Sequence, residues 1–379
     1  MPPPYLPAPN GISDCLGWKA QQIYPVQNAP ADLLEESIKP RTLSPYCSIQ
    51  SVESVNAVAE YPFFNLQDAS TALILSSMRD HPIRLNSALT GHLGASYPLV
   101  NPMTEEHVCP HSLAFNRSGD RFVAGSESLI SVFDLSRPGE EPIASMPTGP
   151  KRKGTNYSDA TTMRGIVSAL GADPATGVLA AGTFSRHVGL YDSWGQGDCV
   201  GVFSVKGTSA DEEIRGGGIT QVSWSPCGRY LYIAERKSDG VMCYDIRKTG
   251  QLLSWLRGRN ALTNQRLGFD IGTTDDQAGH VIWAGGVDGQ FRMWKNPHQQ
   301  EGAVAPTLEV KGHDGMQSPL SANAGSMLSR SEDTVSSAVV HHGGGILATS
   351  SGQRHLTADL DESNPHQPLY DYSLKIWKF

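Results

Sequence analysis

Short runs of alternating apolar and polar residues recur along the chain, separated by turns rich in glycine and proline. In the segment from Ile219 to Lys248, Val222 and Trp224 alternate with polar residues, which is the period of a half-buried strand. The tight turn 225–228 follows, with proline to fix φ and glycine free to take a positive φ. Two more apolar runs complete three short antiparallel strands, which predict the inner part of a β-propeller blade.

The same three-strand pattern can be read six times. The units begin at Tyr61, His111, Ile166, Ile219, Arg266 and Val335. In the first unit the pattern predicts strands at 61–64, 72–76 and 82–85. Most units end in an apolar–aromatic pair such as Ile376-Trp377, and such strand ends resemble WD-repeat sequences. We therefore predict an all-β fold, a WD-repeat β-propeller with six readable blades. Long connections rich in Gly, Ser, Pro and charge are expected as loop insertions at 139–165, 206–217, 296–334 and 355–371.

Residues 1–57 contain no complete three-strand unit, so we predict a partly disordered N-terminal segment there and the propeller at 58–379. The last unit ends directly after its third strand, whereas a blade needs four. An N-terminal strand commonly supplies the missing one, which removes an open sheet edge. The segment Asp14–Ile23 is the candidate for this closing strand, and the alternative is an open ring.

Composition narrows the functional class. The net charge is −8, which argues against general coating of nucleic acid but allows a local basic patch. The six cysteines include no CxxC pair, so we predict no metal site and reduced thiols, consistent with the cytosol or nucleus. No apolar run reaches membrane-spanning length, and the N-terminus has no signal-peptide pattern. No catalytic motif is present, and we predict a protein that is not an enzyme and needs no cofactor or small-molecule substrate.

Cationic residues recur in the loops that one face of such a propeller presents. The candidate RNA-binding residues are Arg79, Arg186, Arg236, Lys237, Arg266 and Arg354. Converging arginines suit phosphate oxygens and can stack on bases. The alternative is that they pair with nearby carboxylates such as Asp80 or Asp239, or are simply solvated.

Several phrases are more specific than the repeat pattern. They are 79–83 (RDHPI), 89–91 (LTG), 111–115 (HSLAF), 118–120 (SGD), 137–139 (RPG), 189–191 (GLY), 217–220 (GGIT), 263–266 (TNQR) and 348–354 (ATSSGQR). From about Val55 to Phe379 the chain resembles the telomerase Cajal body protein family of WD-repeat proteins. Arg79, Arg266 and Arg354 lie inside matching motifs, and their role in RNA contact is inferred from loop position.

The resemblance implies an RNA-binding propeller associated with small nuclear ribonucleoproteins. In animals such proteins bind Cajal-body guide RNAs and telomerase RNA, and a fungal branch is linked to mRNA splicing. We therefore expect a non-enzymatic nuclear protein, with the cytoplasm as a further compartment, that serves ribonucleoprotein assembly, trafficking or telomerase RNA localisation. Its partners would be small nuclear or Cajal-body RNA and ribonucleoprotein proteins, without a membrane. The alternatives are a spliceosome-associated factor and a protein–protein scaffold without direct RNA contact.

The resemblance also implies seven blades. The family's first blade should fall between about Trp18 and Asp32, where this chain has no such pattern. Either the chain lacks that blade or its gene model has lost it.

Overall fold

The computed structural model describes residues 20–23, 45, 47–149, 162–248, 250–274, 279–313, 334–341, 345–352 and 373–378. The regular secondary structure of these residues is almost entirely β-strand, and the one α-helix among them is short (α1, Ser209–Ile214). The chain divides into two compact units. The first comprises Met1–Ser126 with Ser131–Ser145, and the second comprises Glu127–Ile130 with Met146–Phe379.

The first unit contains a two-stranded sheet, a four-stranded antiparallel sheet and most of a second four-stranded antiparallel sheet. The two-stranded sheet is β1 (Ala20–Ile23) and β2 (Cys47–Gln50). The strands of the next sheet, in spatial order, are β3 (Val55–Glu60), β4 (Leu73–Met78), β5 (Ile83–Ser87) and β6 (Leu93–Tyr97). The strands of the third are β7 (Ser112–Phe115), β8 (Arg121–Ser126), β9 (Leu129–Asp134) and β10 (Ala144–Pro147).

Aromatic rings dominate the core of the first unit. The rings of Phe122 and Phe133 stack with their centroids 4.9 Å apart. Tyr97 packs edge-on against Phe122, and its hydroxyl donates a hydrogen bond of 2.9 Å to the carbonyl of Leu135. All three rings are almost completely buried. Because each such ring buries about 150–250 Å² and the one polar tip is paired, this cluster stabilises the packing of the two four-stranded sheets.

The second unit contains four further sheets whose strands follow one another along the chain. The strands of the first two are β11 (Val167–Ala172), β12 (Leu179–Thr183), β13 (His187–Tyr191), β14 (Cys199–Ser204), β15 (Ile219–Trp224), β16 (Tyr230–Glu235), β17 (Gly240–Asp245) and β18 (Leu252–Arg257). The strands of the last two are β19 (Phe269–Thr273), β20 (His280–Gly285), β21 (Gln290–Lys295), β23 (Leu308–Lys311), β24 (Val335–Val340), β25 (Ile346–Ser351) and β26 (Leu374–Lys378).

One strand leaves the order of the chain. β22 (Gly302–Val304) lies between β21 and β23 in sequence but pairs in parallel with β18 of the preceding sheet. Val304 is 3% exposed and packs in a core cluster with Leu256. The hydroxyl of Ser254 in β18 also donates to the carbonyl of Pro297 at 3.0 Å. The segment after β21 therefore ties two neighbouring sheets of the second unit together.

Side chains of the first strand in each sheet join neighbouring sheets of the second unit. The Gln221 amide donates to the carbonyl of Phe269 at 2.7 Å and accepts from the N–H of the same residue at 3.0 Å. The hydroxyl of Ser168 donates to the carbonyl of Ile219 at 2.6 Å. Such bonds satisfy backbone groups that the sheets themselves leave unpaired, and they fix the sheets in register with one another.

The six sheets of three to five strands, antiparallel except for the pairing of β22 with β18, confirm the predicted fold class, a WD-repeat β-propeller with six blades. The segment Ile219–Lys248 forms strands and a turn where the pattern predicts them. The turn closes through a hydrogen bond of 2.9 Å from the N–H of Gly228 to the carbonyl of Ser225. Gly228 has a φ of +67°, and a Cβ there would approach the Asp173 carboxylate to 2.5 Å, so only glycine fits.

In the first blade the predicted opening strand at 61–64 is wrong. The strand is Val55–Glu60, in which alternate residues are buried. Its inward side chains include Ala57 and Ala59, which are small and carry a weak hydrophobic signal. Tyr61 instead continues into a turn, where its ring lies against Gly119 and edge-on to Phe115.

The predicted closing strand is corrected in the same way. Of the segment Asp14–Ile23, the described part is β1, and β1 pairs antiparallel with β2 as a separate sheet rather than with the last blade. The last blade has three strands within the described residues. A nearby strand offers β1 hydrogen-bond partners at a smaller loss of chain entropy than a strand at the far end of the chain.

The long connections contain some of this structure. The stretch 206–217 holds α1, 139–165 holds β10, and 296–334 holds β22 and β23. The fourth predicted insertion, 355–371, lies outside the described residues.

Glu60 should make the unfolding free energy depend on pH. Burial raises the pKa of this carboxyl to about 8, from about 4.5 in the unfolded chain. Between these values the folded protein holds a proton that the unfolded chain has lost, so stability falls as pH rises from 4.5 to 8. Glu60→Gln removes the titrating group and is expected to raise the unfolding free energy at pH 8.5 by at least about 2 kcal/mol, with little change at pH 4.5.

Urea unfolding at the two pH values measures this effect. The exposed Glu53 of the same unit provides a matched control, because Glu53→Gln removes a solvated carboxylate and is expected to leave both free energies unchanged. An equal shift of the Glu60→Gln variant at both pH values would contradict the assignment.

Candidate nucleic-acid interface

Three consecutive glycines, Gly216–Gly218, precede β15 at one end of the fourth blade. A Cβ at Gly216 would lie 2.0 Å from a carboxylate oxygen of Glu235, and one at Gly218 would lie 2.9 Å from the carbonyl of Phe184. Gly218 also has a φ of +137°, which residues with a side chain rarely adopt. At Gly216 and Gly218 the backbone therefore lies too close to its neighbours for a side chain.

Arg186 is held by two carboxylates beside this glycine segment. Its Nε and Nη2 donate to both oxygens of Glu235 at 2.7 Å, and Nη2 donates to Asp211 at 2.5 Å. The side chains of Arg186 and Glu235 are 12% and 0% exposed. Burial by itself would raise the pKa of Asp211, but the hydrogen bonds from Arg186 and the Gly207 N–H, together with the charges of Arg186 and Lys206, lower that pKa below its usual range. Arg186 thus pairs internally with two carboxylates, which at this candidate position favours the alternative of carboxylate pairing.

Arg236 has a different environment from Arg186. Its guanidinium carbon lies 4.5 Å from the centre of the Phe184 ring, a cation–π contact. Its Nε donates to the carbonyl of Gly217 at 2.8 Å. Within the described part of the chain, no carboxylate pairs with Arg236. The guanidinium is therefore fixed in position by a ring and a carbonyl, and its two Nη groups remain available to an outside acceptor.

Further cations lie on the segments that adjoin Arg236 and its ring partner Phe184. Arg164, Arg215 and Lys237 are exposed, and no described residue forms an ion pair with them. The carbonyl of Arg164 accepts a hydrogen bond from Ser185, next to Phe184, and Arg215 directly precedes the glycine segment. We name Arg164, Arg215, Arg236 and Lys237 the cationic cluster, all of it in the second unit.

Two more arginines lie at the same end of the fifth blade. Nη2 of Arg266 donates to the carbonyl of Ser168 in β11 at 2.5 Å, so its side chain crosses towards the third blade. Arg259 is 1% exposed and donates to the carbonyls of Leu267, Gly268 and Gly285. Burial lowers the pKa of Arg259 to about 10, which still leaves it charged at neutral pH. Both add positive potential near the cationic cluster.

The other predicted residues are placed as follows. Arg79 lies in the first unit and is largely exposed. Its Nε is 4.0 Å from the carboxylate of Asp80, so the ion pair that was the alternative to RNA contact is weak here. Asp239 does not pair with the cations beside it but accepts the N–H of Asn260 at 2.6 Å. Arg354 lies outside the described residues.

Sequence reasoning missed Phe184, Arg164, Arg215 and Arg259. The phrase Arg-Gly-Gly-Gly at 215–218 carried a signal, because consecutive glycines beside an arginine indicate close backbone approach. The described residues contain no group of three or more His, Cys, Asp or Glu side chains that could hold a metal ion. None of the described helices is long and apolar enough to cross a membrane.

The sequence matches no model of a protein family. It is 32% identical over 294 residues to guanine nucleotide-binding protein negative regulator 1 of Schizosaccharomyces pombe, covering 76% of this chain and 69% of that protein. It is 28% identical over 350 residues to telomerase Cajal body protein 1 of Homo sapiens, covering 92% of this chain and 56% of that protein. Protein SWT21 of Vanderwaltozyma polyspora is 24% identical over 279 residues, or 70% of this chain and 59% of that protein.

This chain thus spans a little over half the length of the human relative. Together the six blades and these matches show that the chain belongs to the telomerase Cajal body protein family of WD-repeat proteins.

Proposed function

We propose that this protein is a non-enzymatic, nuclear RNA-binding propeller that serves ribonucleoprotein assembly or trafficking, and that the cationic cluster contacts the RNA. The observation that carries the proposal is Arg236, whose guanidinium is stacked on Phe184 and anchored to Gly217 without a carboxylate partner in the described chain. An arginine held in this way loses little side-chain entropy when it binds phosphate, and its planar fork suits phosphate oxygens.

The charge distribution supports RNA over an uncharged partner. The protein carries a net charge of −8, yet it has four cations in the cationic cluster. Among the residues that the structure describes, none of the four forms an ion pair, and the buried Arg259 adds a further positive charge. Cations and backbone N–H groups on exposed loops can bind the phosphates of single-stranded RNA, and a rigid sheet holds these loops in place. The unstacked bases of such RNA are also accessible to the loops. Arg266 and Lys237 remain candidate contacts, and Arg79 is a further candidate in the first unit. Splicing particles and telomerase RNA are alternative sources of such RNA.

Binding of a fluorescein-labelled 20-nucleotide RNA hairpin with a single-stranded loop tests the site. In the double variant Arg236→Gln/Lys237→Gln we expect the affinity for RNA to fall about tenfold or more. The slope of log Kd against log salt concentration should also become shallower, by the amount that corresponds to the loss of about one to two phosphate contacts. Arg247→Gln is the matched control, because Arg247 is also exposed but pairs with Asp245 at 2.7 Å. Unchanged affinity and salt dependence in the double variant would exclude the cationic cluster.

The scaffold alternative has its own test. Ultraviolet cross-linking in cells followed by RNA sequencing is expected to enrich small nuclear or Cajal-body RNAs with the unaltered protein and to lose them with the double variant. A scaffold without RNA contact would enrich none.

A further inference from the structure

The outer strand of the third blade, β14 (Cys199–Ser204), contains no charged residue. Its sequence is Cys-Val-Gly-Val-Phe-Ser, and Val200 is 66% exposed. The N–H of Val205 donates a hydrogen bond to the carbonyl of Arg186, just before β13. Since successive residues of an antiparallel strand point their N–H groups to opposite sides, the N–H groups of Val202 and Ser204 face away from β13. Within the described residues, no strand pairs with this side of β14.

In each of the other five blades, the outermost strand among the described residues carries a feature that limits further pairing. The carbonyl of Ser96 in β6 accepts the N–H of Gly139 at 2.7 Å, β10 ends at Pro147, and β18 is covered by β22. The remaining two contain charged residues, namely Glu309 and Lys311 in β23 and Lys375 and Lys378 in β26. Charges, proline and covering segments are the usual means by which sheet edges avoid unwanted pairing. Among the described residues, β14 contains no charge or proline and no other segment covers its outer edge, although its pairing with β13 is irregular near Val200. An edge left in this state is available for a partner.

The neighbouring blade shows which kind of segment such an edge accepts. β22 is a Gly-Ala-Val stretch without charge, and it adds to the outer edge of β18 through three residue pairs in parallel. The buried Val304 supplies the apolar contact of that addition. On β14, Val200 and Val202 would offer a comparable apolar surface on either side of Gly201.

We propose that β14 is a docking edge for an extended, uncharged segment of a partner protein, rich in β-branched residues, which adds to the third blade as a fifth strand. Main-chain hydrogen bonds to Val202 and Ser204 supply affinity in this mode, and alternate side chains supply selectivity. A peptide fits this edge better than a second copy of the chain. A single six-residue strand offers far less area than the roughly 1,200 Å² that stable protein–protein interfaces bury.

A phage-displayed library of twelve-residue peptides, selected against the full chain, tests the proposal. We expect enriched peptides with alternating Val, Ile or Thr and without charge. Val202→Pro removes an outward-facing N–H, which an edge strand tolerates, and Val200→Lys adds a charge at the edge. Both are expected to weaken binding of the selected peptides at least tenfold. The matched control Val202→Thr keeps the N–H and the strand propensity, and is expected to bind within twofold of the original chain.

Hydrogen exchange of the full chain locates the contact. The amides of Val202 and Ser204 are expected to exchange quickly in the free protein and slowly with a selected peptide bound. Slow exchange in the free protein would overturn the proposal, because the edge would already be covered by the chain itself. Selected peptides that bind Val202→Pro and Val200→Lys as well as the original chain would also overturn it, as would a dimer in sedimentation that Val202→Pro abolishes. Folding of each variant is verified by its urea unfolding curve.

Discussion

Replacing Arg186 with methionine is expected to lower the free energy of unfolding by about 3–5 kcal/mol. The variant leaves the carboxylate of Glu235 without its cation, and that side chain is 0% exposed. A buried charge that has lost its partner cannot be solvated in place, so the native state bears the desolvation cost. Chemical denaturation with urea measures the loss as a shift of the midpoint at unchanged slope.

A double variant separates this cause from lost packing. Arg186→Met with Glu235→Gln removes both buried charges, and we expect it to recover at least half of the loss, since a neutral pair of similar volume avoids the unpaired ion. If the double variant is as unstable as the single one, packing rather than charge explains the effect. A loss below about 1 kcal/mol in the single variant would show that Glu235 is solvated or protonated without cost.

Gly285→Ala is the second substitution expected to have a large effect, with a loss of about 2–3 kcal/mol in unfolding free energy. Gly285 ends β20, and a Cβ there would lie 2.3 Å from the carbonyl oxygen and 2.6 Å from the Cβ of Val335, the first residue of β24. Because the obstacle includes backbone, no change of rotamer can relieve it, and the two blades must separate locally.

Gly94 provides the control for that variant. It also lies in a strand, but its nearest neighbour to a new Cβ is the carbonyl of Leu85 at 3.4 Å, close to ordinary contact. Gly94→Ala is expected to change the unfolding free energy by less than about 0.5 kcal/mol, measured by urea unfolding beside Gly285→Ala. Equal effects at the two positions would mean that strand propensity, not the approach of the fifth and sixth blades, decides the cost.

The inner strands of the blades could be predicted from sequence because each combines a period-two pattern with a turn of recognisable chemistry. Trp224 and Val222 alternate with polar neighbours, and Gly228 marks the turn that follows. The outer strands carried no comparable signal. β10 and β23 are only four residues long and mostly exposed, so they read as parts of loop insertions. The pairing of β22 with β18 depends on tertiary contacts alone, which no local pattern reports.

The candidate site could be predicted in part, for a similar reason. Loop position placed Arg236 and Lys237 at one end of the fourth blade, and in the structure Arg236 contacts the glycine segment that Arg215 precedes. Loop position could not show that Arg186 pairs with a carboxylate whereas Arg236 has no carboxylate partner among the described residues. The carboxylate that neutralises Arg186 belongs to Glu235, which lies next to Arg236 in sequence and forty-nine residues from its partner. Which blade supplies the carboxylate that pairs with Arg186 depends on tertiary structure, which the sequence pattern does not report.

The cross-blade position of β22 has a consequence for synthesis of the protein. β18 is complete at Arg257, but the strand that covers its edge is not translated until Gly302–Val304. At typical rates of about 5–20 residues per second, a nascent chain on the ribosome would carry that edge uncovered for roughly 2–9 seconds. During this interval the uncovered edge of β18 can pair with strands of other nascent chains. Slower elongation beyond Arg257 lengthens the interval and should therefore lower the yield of soluble protein.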